Sequence, residues 1–293
     1  PLTILNPKGL PTPAVLTFHD AQHEFLPEML PARELRRRRR TYGSSLAEAK
    51  IVIAISRHVR ASLVERFQVP DHKIRVIYHG IDQIFSEKPD GREEDVAGKY
   101  GIRGRPFMIY PASTWPHKNH ATLLCAFRKF VAEVDDAGEA MLLLTGGRKN
   151  AHPDLVRDIA KLELEDRVDW LGYIPREDLA SLYRMARMMV FPSLFEGFGL
   201  PVLEAQASGC PVLCSSASSL PEVGGDAACY FEPTSVSDLV ACMTRLWLDP
   251  GERERMRRSG LKRAARFTWT ETARQTVAAY QAAVRAGGVG RPD

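Results

Sequence analysis

Short apolar runs alternate with amphipathic stretches along the whole chain. In the first hundred residues the runs AVLTFHD, KIVIAIS and IRVIYHGI predict strands, and the segments 34–48 and 59–67 predict helices. Later runs of the same kind are PFMIYPA, AMLLLTGG, RVDWLGY, RMMVFPS, PVLCS and ACYFEP. Short apolar strands separated by helical patterns are typical of parallel sheets that are buried on both faces. The pattern therefore predicts an α/β protein with two Rossmann-like, doubly wound domains.

The two groups of strands are separated by a polar, charged segment (86–106), which we interpret as a linker containing one short helix. We predict an N-terminal domain (1–103), a C-terminal domain (104–267) and a final helix (268–293). Thr268 or Thr270 caps that helix, which packs on either domain, with a crossing back to the first domain as one option. The first domain has three strand candidates, or four with LTIL (2–5), against five or six in the second. This count predicts an incomplete N-terminal domain.

Composition narrows the class of protein. The 293 residues are 44% hydrophobic and carry 40 Lys and Arg against 36 Asp and Glu, a net charge of +4. This mild excess does not indicate a nucleic-acid binder, although it suits an enzyme that handles anionic phosphates. Five cysteines without CxxC spacing favour a reducing compartment over a disulfide framework or a zinc site. No run approaches the roughly 20 apolar residues of a membrane span, so we predict a cytoplasmic protein.

One strand-to-helix turn carries the candidate chemistry. In MVFPSLFEGFGLPVLEAQASG, the carboxylates Glu196 and Glu204 flank a glycine-rich turn that ends at Pro201. Such a turn lies at the carboxyl end of a parallel strand, where open α/β sheets bind ligands. Gly197 and Gly199 let the backbone approach an anion, which the first N–H groups of the following helix attract. Glu204 suits a ribose diol, so the order of groups fits a sugar nucleotide. Alternatively, Glu204 is only a helix-dipole partner and Glu196 a solvated loop residue.

The segment EGFGLPVLE resembles the E-x7-E element of the family 4 retaining glycosyltransferases, which have the two-domain GT-B fold. Other segments extend this resemblance over nearly the whole chain. FHDAQHEFLPE is similar to the acceptor-side histidine region, and VIYHGID to the end of the N-terminal domain. YPASTWPHKNH resembles the phosphate-binding lysine segment, in the form that mannosyl- and rhamnosyltransferases carry. LGYIPREDLASLYRMA resembles the nucleotide-base loop and its helix. EGFGLP and PHKNH are the most specific of these segments.

The resemblance implies roles for individual residues. Lys118 neutralises the diphosphate leaving group, Glu196 binds hydroxyls of the donor sugar, and His19 holds the sugar; otherwise Lys118 is a solvated lysine and His19 a helix cap. Family members carry an arginine where this chain has Ala112 or Ser113, and Arg148 is a candidate substitute. The implied donor-binding residues are Gly197, Phe198, Gly199, Leu200, Glu204, Tyr173, Ile174, Ser113 and Gly146.

The implied reaction moves a hexose from a nucleotide diphosphate sugar, for which we favour GDP-mannose, to a glycan or lipid-linked acceptor. The anomeric configuration is retained. A DxD motif at a strand end is missing, so we expect no metal and no further cofactor. The run ELRRRRR (34–40) is either a solvated helix face or a contact with anionic lipid, which would place the protein at the inner membrane face.

Other functions remain open at this stage. A phosphorylase or a nucleotide-sugar epimerase would use the same fold, and a non-catalytic nucleotide-sugar-binding module would suit a short first domain. A Rossmann dehydrogenase is disfavoured, because no G-x-G-x-x-G follows the first strand.

Overall fold

The computed structural model describes residues 4, 9, 11–87, 89, 91–102 and 104–286. The chain divides into two compact units. Unit 1 comprises 1–80, Glu196–Phe198 and Phe267–Asp293, and unit 2 comprises Ile81–Phe195 and Gly199–Arg266. The predicted strand LTIL lies outside the described residues except for Ile4.

Unit 1 has one parallel sheet among its described residues. Its three strands, in the spatial order β1-β2-β3, are β1 (Val15–Phe18), β2 (Ile51–Ala54) and β3 (Ile74–Val76). Its helices are α1 (Gln22–Phe25), α2 (Ala32–Glu48), α3 (Arg57–Phe67) and, from the far end of the chain, α12 (Trp269–Ala286). All four residues of β2 are buried, as expected for the middle strand of a parallel sheet. The three predicted strands and two predicted helices are thus confirmed.

The final helix packs on unit 1. Ala279 and Ala283 of α12 lie in one buried cluster with Ile51, Ile53 and Ile77 of the unit 1 sheet. The hydroxyl of Thr268 accepts a hydrogen bond from the N–H of Glu271 at 3.2 Å, which makes Thr268 rather than Thr270 the capping residue. The sequence left open which domain this helix packs on, and in the structure it packs on the first.

The segment that we interpreted as a linker is part of unit 2. Its helix, α4 (Glu93–Lys99), packs on α7 (Arg176–Met185) through three polar contacts. Lys99 and Tyr100 both reach Asp178 (2.6 and 2.7 Å), and Arg184 binds Glu93 at 2.7 Å. The chain therefore divides between Gly80 and Ile81. This position differs from the predicted boundary at 103/104, because charged side chains fix the segment to the helix beside it.

Unit 2 has a six-stranded parallel sheet, and all six predicted strands are confirmed. In the spatial order β6-β5-β4-β7-β8-β9, the strands are β4 (Phe107–Pro111), β5 (Met141–Thr145), β6 (Val168–Gly172), β7 (Met188–Phe191), β8 (Val212–Ser215) and β9 (Ala228–Phe231). The further helices are α5 (His120–Glu133), α6 (His152–Lys161), α8 (Leu200–Ala207), α9 (Leu220–Gly224), α10 (Val236–Leu248) and α11 (Pro250–Ala264). The strand order reverses between β4 and β7, and such a switch point opens a crevice at the carboxyl ends of the strands.

No helix among the described residues is both long enough and apolar enough to cross a bilayer.

Candidate active site

A cavity of about 470 Å³ lies in unit 2 at the carboxyl ends of β4, β5 and β6, beside the switch point. Residues at the start of α7 and of α8 complete its wall. The structure thus brings together the largest group of predicted donor-binding residues. Those that line the cavity are Ser113, Gly146, Tyr173, Ile174 and Glu204.

Gly146 lets two strand ends meet closely in the cavity wall. Its φ of +123° lies in the region that favours glycine, and a Cβ there would come within 2.6 Å of the Ala112 carbonyl carbon. The adjacent Gly147 N–H donates to Ser113 Oγ at 3.1 Å. The two connections after β4 and β5 are therefore held together by backbone contact and one hydrogen bond, which gives the cavity a rigid wall.

An aromatic ring stands at the rim of this cavity. Tyr173, which follows β6, is 85% exposed, whereas its neighbour Ile174 is only 6% exposed. An exposed ring at the mouth of a pocket offers a face on which a nucleobase can stack. These two residues therefore suit one edge of a base.

Glu204 lies one turn into α8 and is largely buried, with its side chain 14% exposed. Burial raises the pKa of Glu204 to about 7, and Asp82 acts in the same direction. The Arg176 guanidinium, 3.8 Å away, and a hydrogen bond from Tyr183 lower it in part. A carboxylate held in this way can accept hydrogen bonds from two adjacent hydroxyls.

Lys118 does not line the cavity. It ends the short 3-10 helix Pro116–Lys118, and its ammonium lies 5.5 Å from the centre of the Phe191 ring at the end of β7. The same segment is bonded to the loop after β7, since the Leu194 N–H donates to the His117 carbonyl at 2.8 Å. Lys118 is therefore fixed beside the strand that leads into the glycine-rich turn.

Asn119 occupies the N-cap position of α5, but its side chain does not cap the helix. Its backbone is left-handed (φ 58°), and its side chain makes no capping bond to the helix. Instead, its amide nitrogen donates to the carbonyls of Pro192 (3.1 Å) and Pro233 (2.8 Å). The side chain ties the Lys118 segment to two strand ends of unit 2.

The tripeptide Glu196–Phe198 belongs to unit 1, although unit 2 residues flank it in sequence. Ser56 Oγ donates to the Gly197 carbonyl at 2.8 Å. A Cβ at Gly197 would overlap the His19 carbonyl oxygen, at 1.9 Å. The ring of Phe198 is buried beside Tyr78, His79 and Phe267, so its side chain does not line the cavity. Glu196 and His19 are thus joined in unit 1 through Gly197.

His19 follows β1 and forms a stacked pair with His79, with ring centres 5.8 Å apart and 19° between the planes. Burial lowers the pKa of His19. Burial and then His19 lower the pKa of His79 to about 4. Among the described residues, the buried Nε2 of His19 has no hydrogen-bond partner. His79 lies in the motif VIYHGID, but the sequence predicted no role for it.

The turn itself has the expected backbone. Gly199 precedes α8 with φ 106°, and Leu200 begins the helix with Pro201 in its first turn. Gly209 follows the helix with φ 72°, as a C-terminal glycine should. The Val202 N–H already bonds the Gly199 carbonyl at 3.0 Å. Gly199 and Leu200 therefore form the turn beside Pro201 and do not line the cavity.

The cavity wall contains the guanidinium of Arg176, a residue for which the sequence predicted no role. Arg148 is exposed and does not line the cavity. In the sequence, Arg176 lies two residues after Ile174, in the segment that resembles the base loop. Within the described residues, no group of three or more His, Cys, Asp or Glu side chains could hold a metal ion.

A profile of the family described as "Glycosyl transferases group 1" matches residues 92–263. The chain belongs to this glycosyltransferase family. A second profile, "Glycosyltransferase Family 4", matches residues 2–85 of this glycosyltransferase. The sequence-based resemblance to family 4 enzymes is confirmed at this level.

Two curated relatives are mannosyltransferases by name. The chain is 32% identical over 268 residues to O-antigen chain mannosyltransferase B of Escherichia coli, covering 92% of this chain and 70% of the relative. It is 31% identical over 256 residues to MMP alpha-(1->4)-mannosyltransferase of Mycolicibacterium hassiacum, covering 84% and 59%. The chain thus spans part of the length of each.

Among solved structures, Anabaena Alr3699/HepE in complex with UDP and glucose matches with a TM-score of 0.79 and 20% identity, covering 92% of this chain and 72% of that one. This likeness shows that the fold is GT-B.

Proposed function

We propose that this glycosyltransferase transfers a mannosyl residue from GDP-mannose to a glycan or lipid-linked acceptor with retention of anomeric configuration. The observation that carries the proposal is the cavity at the switch point, where Tyr173, Gly146 and Glu204 offer a stacking face, a close backbone approach and a diol acceptor. The mannosyltransferase names of the relatives favour mannose. The resemblance to retaining enzymes favours retention.

In this proposal the leaving group is stabilised by positive charge. The sugar–phosphate bond breaks as the diphosphate gains charge, and Lys118 beside β7 stabilises that charge. Backbone N–H groups at the start of α8 act in the same direction. Glu196 and His19, which Gly197 joins in unit 1, bind hydroxyls of the donor sugar. No side chain acts as a nucleophile: the acceptor oxygen bonds to the anomeric carbon on the face that the diphosphate leaves, and the departing phosphate accepts the proton of the acceptor hydroxyl. No metal is required for these steps.

The test is calorimetric titration with GDP-mannose and UDP-glucose, followed by a transfer assay with mannosyl oligosaccharides in EDTA. We expect GDP-mannose to bind at least tenfold more tightly, and the product linkage to have the donor's configuration by NMR. Glu204→Gln should weaken binding, while Arg157→Ala on α6, an exposed residue that does not line the cavity, should leave it unchanged. Binding without transfer or hydrolysis would indicate a binding module. Failure of both donors to bind would refute the proposal.

We also propose that α2 contacts anionic lipid. The helix carries Arg33 and the run 36–40, six arginines, of which Arg37 and Arg38 bind Glu34 and Arg39 binds Glu24. The other three arginines are exposed. Two carboxylates thus balance only part of six guanidinium groups, and each basic residue near an anionic surface contributes about 1 kcal/mol.

Sedimentation with phosphatidylglycerol vesicles tests this contact. We expect binding that 0.5 M salt reverses, since the attraction is electrostatic. Replacing Arg33, Arg36 and Arg40 with Gln should reduce binding at least tenfold. The matched control replaces three exposed arginines of α11, namely Arg255, Arg257 and Arg258. Equal loss in both triple variants, or equal binding to neutral vesicles, would contradict a specific role for α2.

A further inference from the structure

Two contacts hold the Arg176 side chain at the start of α7. One guanidinium nitrogen binds Asp82 at 2.7 Å, and the group lies over the buried Phe85 ring, 5.4 Å from its centre. Phe85 is itself anchored, because Ser208 Oγ at the end of α8 donates to its carbonyl at 3.1 Å. A guanidinium clamped by a carboxylate and a ring loses most of its rotamer freedom before any ligand arrives.

The second guanidinium nitrogen faces Glu204. It lies 3.8 Å from Oε1 in the cavity wall, a distance that gives a direct charge contact. The other ionisable groups that act on this carboxyl are Asp82 and Tyr183, and Tyr183 is fully buried and hydrogen-bonded to it. Arg176 is therefore the cation in this group, set against two acids and a phenol.

We propose that Arg176 is a positioning residue that favours the ionised form of Glu204 and orients it as the diol acceptor of the cavity, with Asp82 and Phe85 holding Arg176 in place. The role in donor binding rests on the proposed function; the effect of Arg176 on the charge of Glu204 does not. The Asp82–Arg176 ion pair joins the first residues of unit 2 to the start of α7, and in this proposal it holds Arg176 beside Glu204.

The sign of the pH dependence follows from the chemistry of a carboxyl group. Burial raises the pKa of Glu204 to about 7, so the group is an anion above that pH and a neutral acid below it. The anion accepts stronger hydrogen bonds from the hydroxyls of a diol than the neutral acid does. Donor binding should therefore strengthen as pH rises through neutrality. Loss of Arg176 removes a charge that lowers this pKa, so the transition should move to higher pH.

The first measurement follows the charge directly. Glutamate carboxyl carbons are labelled with ¹³C, the Glu204 signal is assigned by its loss in Glu204→Gln, and its titration is compared in wild type and Arg176→Ala. An opposite charge this close typically shifts a pKa by about one unit or more. Arg176→Lys, which keeps the charge without the planar fork, should titrate between the two. Arg157→Ala is the matched control.

The second measurement is calorimetric binding of GDP and of UDP at pH 6 to 9. With a one-unit shift, Arg176→Ala should weaken binding roughly fivefold at pH 7 and hardly at all at pH 9. In the Glu204→Gln background the substitution should have no pH-dependent effect, which separates it from the nucleotide phosphate's own titration near pH 6. An unchanged Glu204 titration in Arg176→Ala would overturn the inference. A shifted titration without binding of either nucleotide would support the inference and refute the proposed donor.

Discussion

Replacing Lys118 with Ala should lower kcat/KM for sugar transfer by about 10²- to 10³-fold, the usual effect of removing one group that stabilises transition-state charge. The loss should lie mostly in kcat, because the charge on the leaving group grows as the bond breaks. The fold should survive, since the bonds that hold this segment use backbone atoms. The Tyr110 hydroxyl donates to the Lys118 carbonyl at 2.6 Å, and the Lys118 N–H donates to the Trp115 carbonyl at 2.9 Å.

The matched control is Lys129→Ala. Lys129 is an exposed lysine near the C-terminal end of α5, the helix that follows Lys118. It should leave both turnover and the thermal midpoint near wild type, because surface substitutions usually change stability by less than about 0.5 kcal/mol. Lys118→Arg should recover part of the activity by restoring the charge. Transfer by Lys118→Ala at wild-type rate would exclude Lys118 from the leaving-group site.

Gly197→Ala should both destabilise unit 1 and abolish most transfer. The added Cβ would overlap the His19 carbonyl oxygen and lie 3.0 Å from Asp20 Cβ, and the nearest obstacle is backbone, which cannot rotate away. Overpacking of this kind costs about 1–3 kcal/mol. A displacement of about 1 Å at a sugar-binding group lowers turnover roughly 10²-fold, so moving Glu196 should have an effect of that size. Denaturant unfolding and the transfer assay measure the two effects.

Gly138→Ala tests whether the effect is specific to that contact. A Cβ at Gly138 meets only the Asp135 carbonyl oxygen, at 3.7 Å, and the φ of −54° suits alanine. Both stability and transfer should remain near wild type. If Gly197→Ala has the same unfolding midpoint and the same transfer rate as Gly138→Ala, the loop can accommodate a Cβ and the predicted overlap is wrong.

The fold could be predicted where one local signal sufficed. Each strand of unit 2 is an apolar run between turn residues, and all six were predicted. The spatial order of those strands could not, because parallel strands are joined by helices that allow several orders. Helix α12 has an apolar face that suits either unit, so its packing required coordinates. The segment 86–106 appeared to be a linker because it is polar, but Glu93 and Lys99 use that polarity to bind α7.

The candidate site shows the same limit. Motif residues such as Glu204 and Gly146 could be named from the sequence, and the structure brings both to one cavity. Arg176 could not be named, because its contacts with Asp82 and Glu204 join parts of the chain that are distant in sequence. His79 was missed for a similar reason, since only the folded unit stacks it on His19. Lys118, Glu196 and His19 stay predictions until their variants are measured.

The membership of Glu196–Phe198 in unit 1 constrains how hybrid enzymes can be built. A chimaera that takes 81–266 from a relative imports a foreign tripeptide into the host's unit 1. That tripeptide must still accept the host's Ser56 hydroxyl and fit under the host's His19 carbonyl. Exchanging 81–266 as one block therefore changes residues of both units. Residues 19, 56 and 196–198 should be inherited from the same parent.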